Sequence, residues 1–137
     1  MSRNVFITGA SSGIGKAIAY AFGKNGDDLI LCARRIGKLE EIKADIERRF
    51  GVNVYIFELD VTKYEKVSKT VKNILRKVSK IDILINNAGL ALGLDKFQEY
   101  SITDMEIMID TNVKGLLYVS REIIPNMVEN NEGHIIN

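Results

Sequence analysis

The residues Gly9-Ala10-Ser11-Ser12-Gly13-Ile14-Gly15 put three glycines and two hydroxyls between an apolar run and a helical pattern. Backbone amides in such a turn, together with the positive end of the helix that follows, favour an anion, and a pyrophosphate is the expected guest. Each glycine has a separate reason. Gly9 permits the tight turn, Gly13 lets a ligand approach the backbone with no Cβ in the way, and Gly15 lets the helix press on the sheet. The spacing is not the commonest G-x-G-x-x-G, and a turn that merely needs positive φ is the plain alternative. A nucleoside-triphosphate loop is the nearest rival, because Gly15-Lys16 matches its Gly-Lys. That motif needs a glycine where Ala10 stands and a magnesium-binding hydroxyl where Ala17 stands.

About twenty residues further on, a site for an unphosphorylated dinucleotide places an acid at the end of the second strand to hold the ribose hydroxyls. Here the run ends in Ala33, followed by Arg34 and Arg35. Guanidinium groups suit a 2′-phosphate through charge-assisted hydrogen bonds of roughly 1.5–3 kcal/mol, so NADP is expected over NAD, with Arg34 as the main contact and Arg35 as helper. An ordinary solvated turn is the alternative for these two arginines.

The elements that position these groups follow from hydrophobic period. Val5 to Ile7 and Leu29 to Ala33 are short apolar runs that predict buried parallel strands. Between them Ile14, Ala17, Ile18, Ala21 and Phe22 mark one face of a helix, with Gly26 as its C-terminal cap. The alternation continues: Leu39, Ile42 and Ile46 form a helical stripe, Val54 to Phe57 a strand, and Thr62-x-x-Glu65 a capping box before Val67, Val71, Ile74 and Val78. Ile81 to Ile85 is a fourth strand and ends in Asn86-Asn87-Ala88-Gly89. Ser101 opens a further helix. Val113 to Met127 form one side of a long helix that Pro125 should kink and Gly133 should close, before Ile135 and Ile136 begin a fifth strand. This predicts an α/β fold: a single Rossmann-type domain over residues 1–137, with a doubly wound parallel sheet and helices on both faces, truncated at the fifth strand. Ligands of such sheets bind beyond the carboxyl ends of the strands, where the glycine and polar clusters all fall.

Composition removes other classes. With 19 Lys+Arg against 18 Asp+Glu the net charge is +1, and acids and bases interspersed predict no basic face for nucleic acid. The longest apolar run, Ala17 to Phe22, is far short of the ~20 residues that cross a bilayer, so no membrane association is expected. The start MSRNVFITG is too soon interrupted for a signal peptide, which predicts a cytoplasmic protein. Cys32 is the sole cysteine and His134 the sole histidine, so no metal site is expected; Cys32 reads as a buried hydrophobe and His134 as structural. Met105, Met108 and Met127 read as core or subunit interface, and Lys38 to Arg49 as the wet face of a helix.

TGASSGIG (Thr8 to Gly15), LDVT (Leu59 to Thr62), NNAG (Asn86 to Gly89) and NVKG (Asn112 to Gly115) together resemble the short-chain dehydrogenases/reductases over the whole chain. The resemblance implies that Ser11, Ser12, Ile14 and Gly15 line the diphosphate and that Asp60 and Val61 line the adenine. Asn86, Ala88 and Gly89 would then lie along the cofactor towards the nicotinamide. Asn112 resembles the asparagine of the family's catalytic tetrad, which holds a water that relays protons to the catalytic lysine. NNAGLALG (Asn86 to Gly93) and Met108 to Glu129 look most like NADP-dependent 3-hydroxy acid dehydrogenases, which act on L-serine, L-allo-threonine and related small hydroxy acids. The family assembles through the two helices that begin near Ser101 and Asn112, which implies a homo-oligomer.

The family's catalytic serine and its Tyr-x-x-x-Lys pair are not found among these residues. Tyr20-x-x-x-Lys24 has the spacing but lies behind the phosphate loop, and reads as surface. The piece alone is therefore expected to be nearly inactive, with strand five and one face of the Val113 to Met127 helix left bare. Two other readings stay open: a dinucleotide-binding module without catalysis, such as a redox-sensing regulator, and a purely structural oligomer with no nucleotide affinity.

Overall fold

In the computed structural model, which describes residues 2–137, five parallel strands stand in the order β3-β2-β1-β4-β5. They are β1 (Asn4–Thr8), β2 (Asp28–Ala33), β3 (Val54–Glu58), β4 (Ile83–Ile85) and β5 (His134–Ile136). The helices are α1 (Gly13–Lys24), α2 (Ile36–Phe50), α3 (Tyr64–Lys77), α4 (Ile102–Ile109) and α5 (Leu116–Glu129). The chain builds outwards from β1 through β2 to β3, then returns to place β4 on the other side of β1. This makes a topological switch point between β1 and β4, where open α/β sheets leave a crevice at their carboxyl ends.

Burial on both faces explains why the strands read as unbroken apolar runs. Val5, Ile7, Leu29 and Leu31 pack with Ala19, Leu39, Ile42 and Ile46 of α1 and α2. Phe6, Ile30, Cys32 and Leu84 face the other way, onto Val67, Val71 and Ile74 of α3 and Val119 and Ile123 of α5. Cys32 is buried, and burial pushes its thiol pKa up, away from the thiolate. His134 is exposed, and its N–H donates to Asp82 O at 3.0 Å.

Several expectations are corrected at element ends. The fourth strand begins at Ile83 rather than Ile81, because the Ile81 N–H donates to the Asn126 Oδ1 instead of to a strand. No capping box forms at Thr62: its hydroxyl and N–H both donate to Asp60 Oδ1, at 2.7 and 3.0 Å, and α3 starts after Lys63. The long helix ends at Glu129, and Asn131, at φ 52°, makes the left-handed turn assigned to Gly133. The helices opened by Ser101 and Asn112 are continuous, joined by a π-helical segment over Asp110–Gly115. Ser101 does cap α4, its side chain accepting from the Asp104 N–H.

The near-neutral total charge also hides an asymmetry. The outward face of α3 carries Lys66, Lys69, Lys72, Arg76 and Lys77 against Glu65, so one basic face exists where an interspersed surface is predicted. No helix among the described residues is long and apolar enough to cross a membrane.

Candidate functional site

The loops after β1 and β4 are stitched together at the switch point. Thr8, buried at the end of β1, accepts through Oγ1 from the N–H groups of Asn87 (3.1 Å) and Ala88 (2.9 Å). The Asn87 Nδ2 donates back to the carbonyls of Thr8 (3.2 Å) and Gly9 (3.0 Å). Four hydrogen bonds thus fix the height of the glycine loop relative to the Asn86 to Gly89 turn. Neither Thr8 nor Asn87 is among the site residues predicted above. The available signals are a hydroxyl in an otherwise aliphatic strand and a doubled asparagine before Ala-Gly.

Gly15 is buried beneath this junction, where a Cβ would run into the Asn87 amide and the Gly9 carbonyl. Gly13 is the opposite case: its φ is +55° and nothing lies within 4 Å of where a Cβ would stand. Gly9, at φ +62°, turns the chain over Ala88. Ser12 begins α1 without a side-chain cap, so the first-turn amides of Gly13, Ile14 and Gly15 lack an intrahelical or capping partner and point out of the helix end. Those orphan donors, with the space above Gly13, fit an anionic group.

One strand over, Arg34 and Arg35 are both exposed, and no ion pair among the described residues engages either. Asp60, at the end of β3, is the acid beside them. Burial pushes its carboxyl up, but the hydrogen bonds from Thr62 and the charges of Lys63 and Arg34 outweigh this and hold it below the usual carboxylate range. It is therefore a fixed anion and acceptor, committed in part to Thr62.

These groups border a cleft of about 600 Å³ at the carboxyl ends of the strands. Of the predicted residues, Gly9, Ser11, Ser12, Ile14, Arg34, Arg35, Asp60, Val61, Ala88 and Gly89 line it. Gly13 and Gly15 shape the loop without forming the wall. Asn86 turns away: its Nδ2 donates to Ser120 Oγ (3.0 Å) and Asn137 Oδ1 (2.9 Å), beside the edge strand. Asn112 sits in the π-helical segment and clasps one residue, with Oδ1 accepting from Leu90 N and Nδ2 donating to Leu90 O, both at 2.8 Å. One lone pair and one N–H of its amide thereby hold the loop after β4. Ile107, Asp110 and Thr111 close the far side of the cleft, and Lys63 is a further lining residue that sequence reasoning passed over.

The family model for short chain dehydrogenases matches residues 3–137. The NADP-dependent 3-hydroxy acid dehydrogenase YdfG of Escherichia coli O6:H1 is 44% identical over 133 residues, covering 97% of this chain and 52% of that protein. A protein of Schizosaccharomyces pombe with the same activity in its name is 40% identical, covering 98% and 52%. Among solved structures, serine dehydrogenase from Escherichia coli superposes with a TM-score of 0.90 at 42% identity, covering 98% of this chain and 60% of that one. The alcohol dehydrogenase of Thermococcus sibiricus, complexed with 5-hydroxy-NADP, gives 0.94 at 31%, covering 99% and 57%. The chain spans about half the length of the curated relatives it matches. With the glycine loop, the stitched Asn-Asn turn and the five-stranded order all in place, the chain belongs to the short chain dehydrogenase family.

Proposed function

We propose that this chain forms the cofactor-binding part of an NADP-dependent oxidoreductase that moves a hydride between a nicotinamide and the alcohol or carbonyl carbon of a small hydroxy acid. The observation that carries the reading is the meeting, in one cleft, of the Ser11, Ser12 and Ile14 end of α1, which no side chain caps, with Arg34 and Arg35, neither of which forms an ion pair among the described residues. The relatives' names, which specify NADP and 3-hydroxy acids, support the finer assignment.

In this reading the amides of Gly13, Ile14 and Gly15 and the hydroxyls of Ser11 and Ser12 bind the diphosphate, at the positive end of α1. Arg34, helped by Arg35, takes the 2′-phosphate, while Asp60 and Val61 flank the adenine. Ala88 and Gly89, which carry no bulky side chains, leave the wall open towards the nicotinamide. When bound, that ring supplies or accepts the hydride. Asn112 acts as a positioning residue through Leu90, and Asn86 braces the turn from beneath. Tyr20 and Lys24, which have the Tyr-x-x-x-Lys spacing, lie on α1 behind the phosphate loop and take no part in proton transfer, so the role read for the cleft residues is to bind and orient the cofactor. Two copies meet along α4 and α5, where Ile109, Val113, Leu117, Ile124 and Val128 form an exposed apolar row.

Titration of the full-length protein with NADPH and NADH tests the reading. NADPH binds more tightly in the wild type, and Arg34→Ala weakens NADPH alone by about tenfold. Equal wild-type affinities would remove the preference for the phosphorylated cofactor; no binding of either would remove the dinucleotide site.

A further inference from the structure

Lys63 stands at the mouth of the cleft just beyond the Asp60–Thr62 turn, and it is exposed. Its backbone is fixed on both sides: its N–H donates to Asp60 O at 3.2 Å, and its carbonyl accepts from Val67 N at 3.0 Å. Its ammonium, by contrast, enters no hydrogen bond or ion pair among the described residues. Asp60 Oδ1 is already held by Thr62, so Lys63 and Arg34 both act on that carboxylate through space, from the ends of adjacent strands.

Beyond its through-space attraction to Asp60, a lysine there does nothing for the helix it begins. It occupies the N-cap of α3, supplies no cap, and sets a cation against the positive end of the helix, where an Asp, Ser or Thr would stabilise it. A residue that is unfavourable for its helix, without an ion pair and on the border of the cleft would be matched by an anion bound there.

We propose that Lys63 is a second specificity-determining cation for the phosphorylated adenosine end of the cofactor, attracting from the end of β3 the phosphate that Arg34 and Arg35 meet from the end of β2. The proposal rests on the NADP reading above.

Calorimetric titration of the full-length protein with 2′,5′-ADP and with 5′-AMP tests it, because the two probes differ only in the 2′-phosphate. Lys63→Gln is expected to weaken 2′,5′-ADP roughly fivefold and to leave 5′-AMP within about twofold, as for one exposed charge pair. Lys63→Arg restores the affinity, and the salt dependence of 2′,5′-ADP binding becomes shallower in Lys63→Gln. The melting temperature of Lys63→Gln stays level or rises, since the helix loses an adverse charge. Equal weakening of both probes, or of neither, overturns the role for Lys63 while the wild-type preference for 2′,5′-ADP still stands. A wild type that does not distinguish the probes fails the NADP reading itself, and the proposal falls with it.

Discussion

The two edges of the sheet are finished in opposite ways. At the amino edge nearly every polar group has a partner. Arg3 donates to both oxygens of Asp27 at 2.9 Å, the Asn4 N–H donates to Asp82 at 2.8 Å, and Lys80 pairs with Asp82 and Glu132. Asn126 ties the Ser79 and Ile81 backbones to α5. At the carboxyl edge the framework is just as firmly bonded, through Thr8 and Asn87, but the groups facing the cleft are left open: the α1 amides, Arg34, Arg35 and Lys63. The difference teaches where the fold stores unsatisfied binding capacity. Closed polar networks stabilise, whereas donors held rigidly without partners are preorganised for a ligand that satisfies them.

Breaking the framework of the open edge should have the largest effect. Gly15→Ala forces a Cβ into the Gly9 carbonyl and the Asn87 amide, neither of which can retreat without undoing the Thr8–Asn87 stitching. The expected loss is about 3 kcal/mol of stability, with cofactor affinity lost as well, read by thermal melting and titration. A matched pair sharpens the comparison next. Gly13 and Gly51 both have positive φ, 55° and 67°, and neither has an atom within 4 Å of its missing Cβ; Gly51 caps α2 at the amino edge. Alanine at either position costs about 1–2 kcal/mol of backbone strain. Only Gly13→Ala should also weaken NADPH, by roughly 10- to 100-fold, because its Cβ occupies the ligand's approach. Equal affinities for the two variants would show that Gly13 serves the turn alone.

How far the sequence reveals these edges depends on whether the signal is local. β1 and β2 lie within one residue of their predicted ends, because burial on both faces makes them unbroken apolar runs. Most of the cleft wall was legible for a related reason: the topology sends every strand's carboxyl end to one side, so glycine and polar clusters after strands converge. Thr62 misled because its N–H and hydroxyl both donate back to the Asp60 carboxylate, which keeps it in the turn before the helix and leaves Lys63 at the N-cap. The π-helical segment around Asn112 leaves no trace in a 3.6-residue pattern that tolerates one extra residue. The Thr8–Asn87 bonds join residues 79 apart, beyond the reach of any motif window. The basic face of α3 vanished in the whole-chain sum, because net charge says nothing of where charges stand.

Opening the closed edge gives the smallest of these effects, and its pH dependence isolates it. Hydrogen bonds from Arg3, with a further one from Asn25, hold the Asp27 carboxyl below its ordinary value of 3.8 even though burial pushes the other way. A group whose pKa is lower folded than unfolded binds fewer protons in the native state. Its contribution to stability is therefore complete above the unfolded value and fades as pH falls through the folded one. Asp27→Asn keeps the shape and one acceptor but replaces the two guanidinium–carboxylate bonds with at most one from the Arg3 guanidinium to an uncharged amide oxygen, a loss of about 1 kcal/mol at neutral pH. The gap between wild type and variant should hold steady from pH 7 down to about 4, then close below 3.8 as the wild-type carboxyl takes its proton. Denaturant melts across that range measure it, with NADPH affinity at pH 7 unchanged in the variant because Asp27 lies at the opposite edge. A gap that widened in acid, or a variant that bound NADPH less well, would mean that the two edges are coupled through the sheet rather than built for separate tasks.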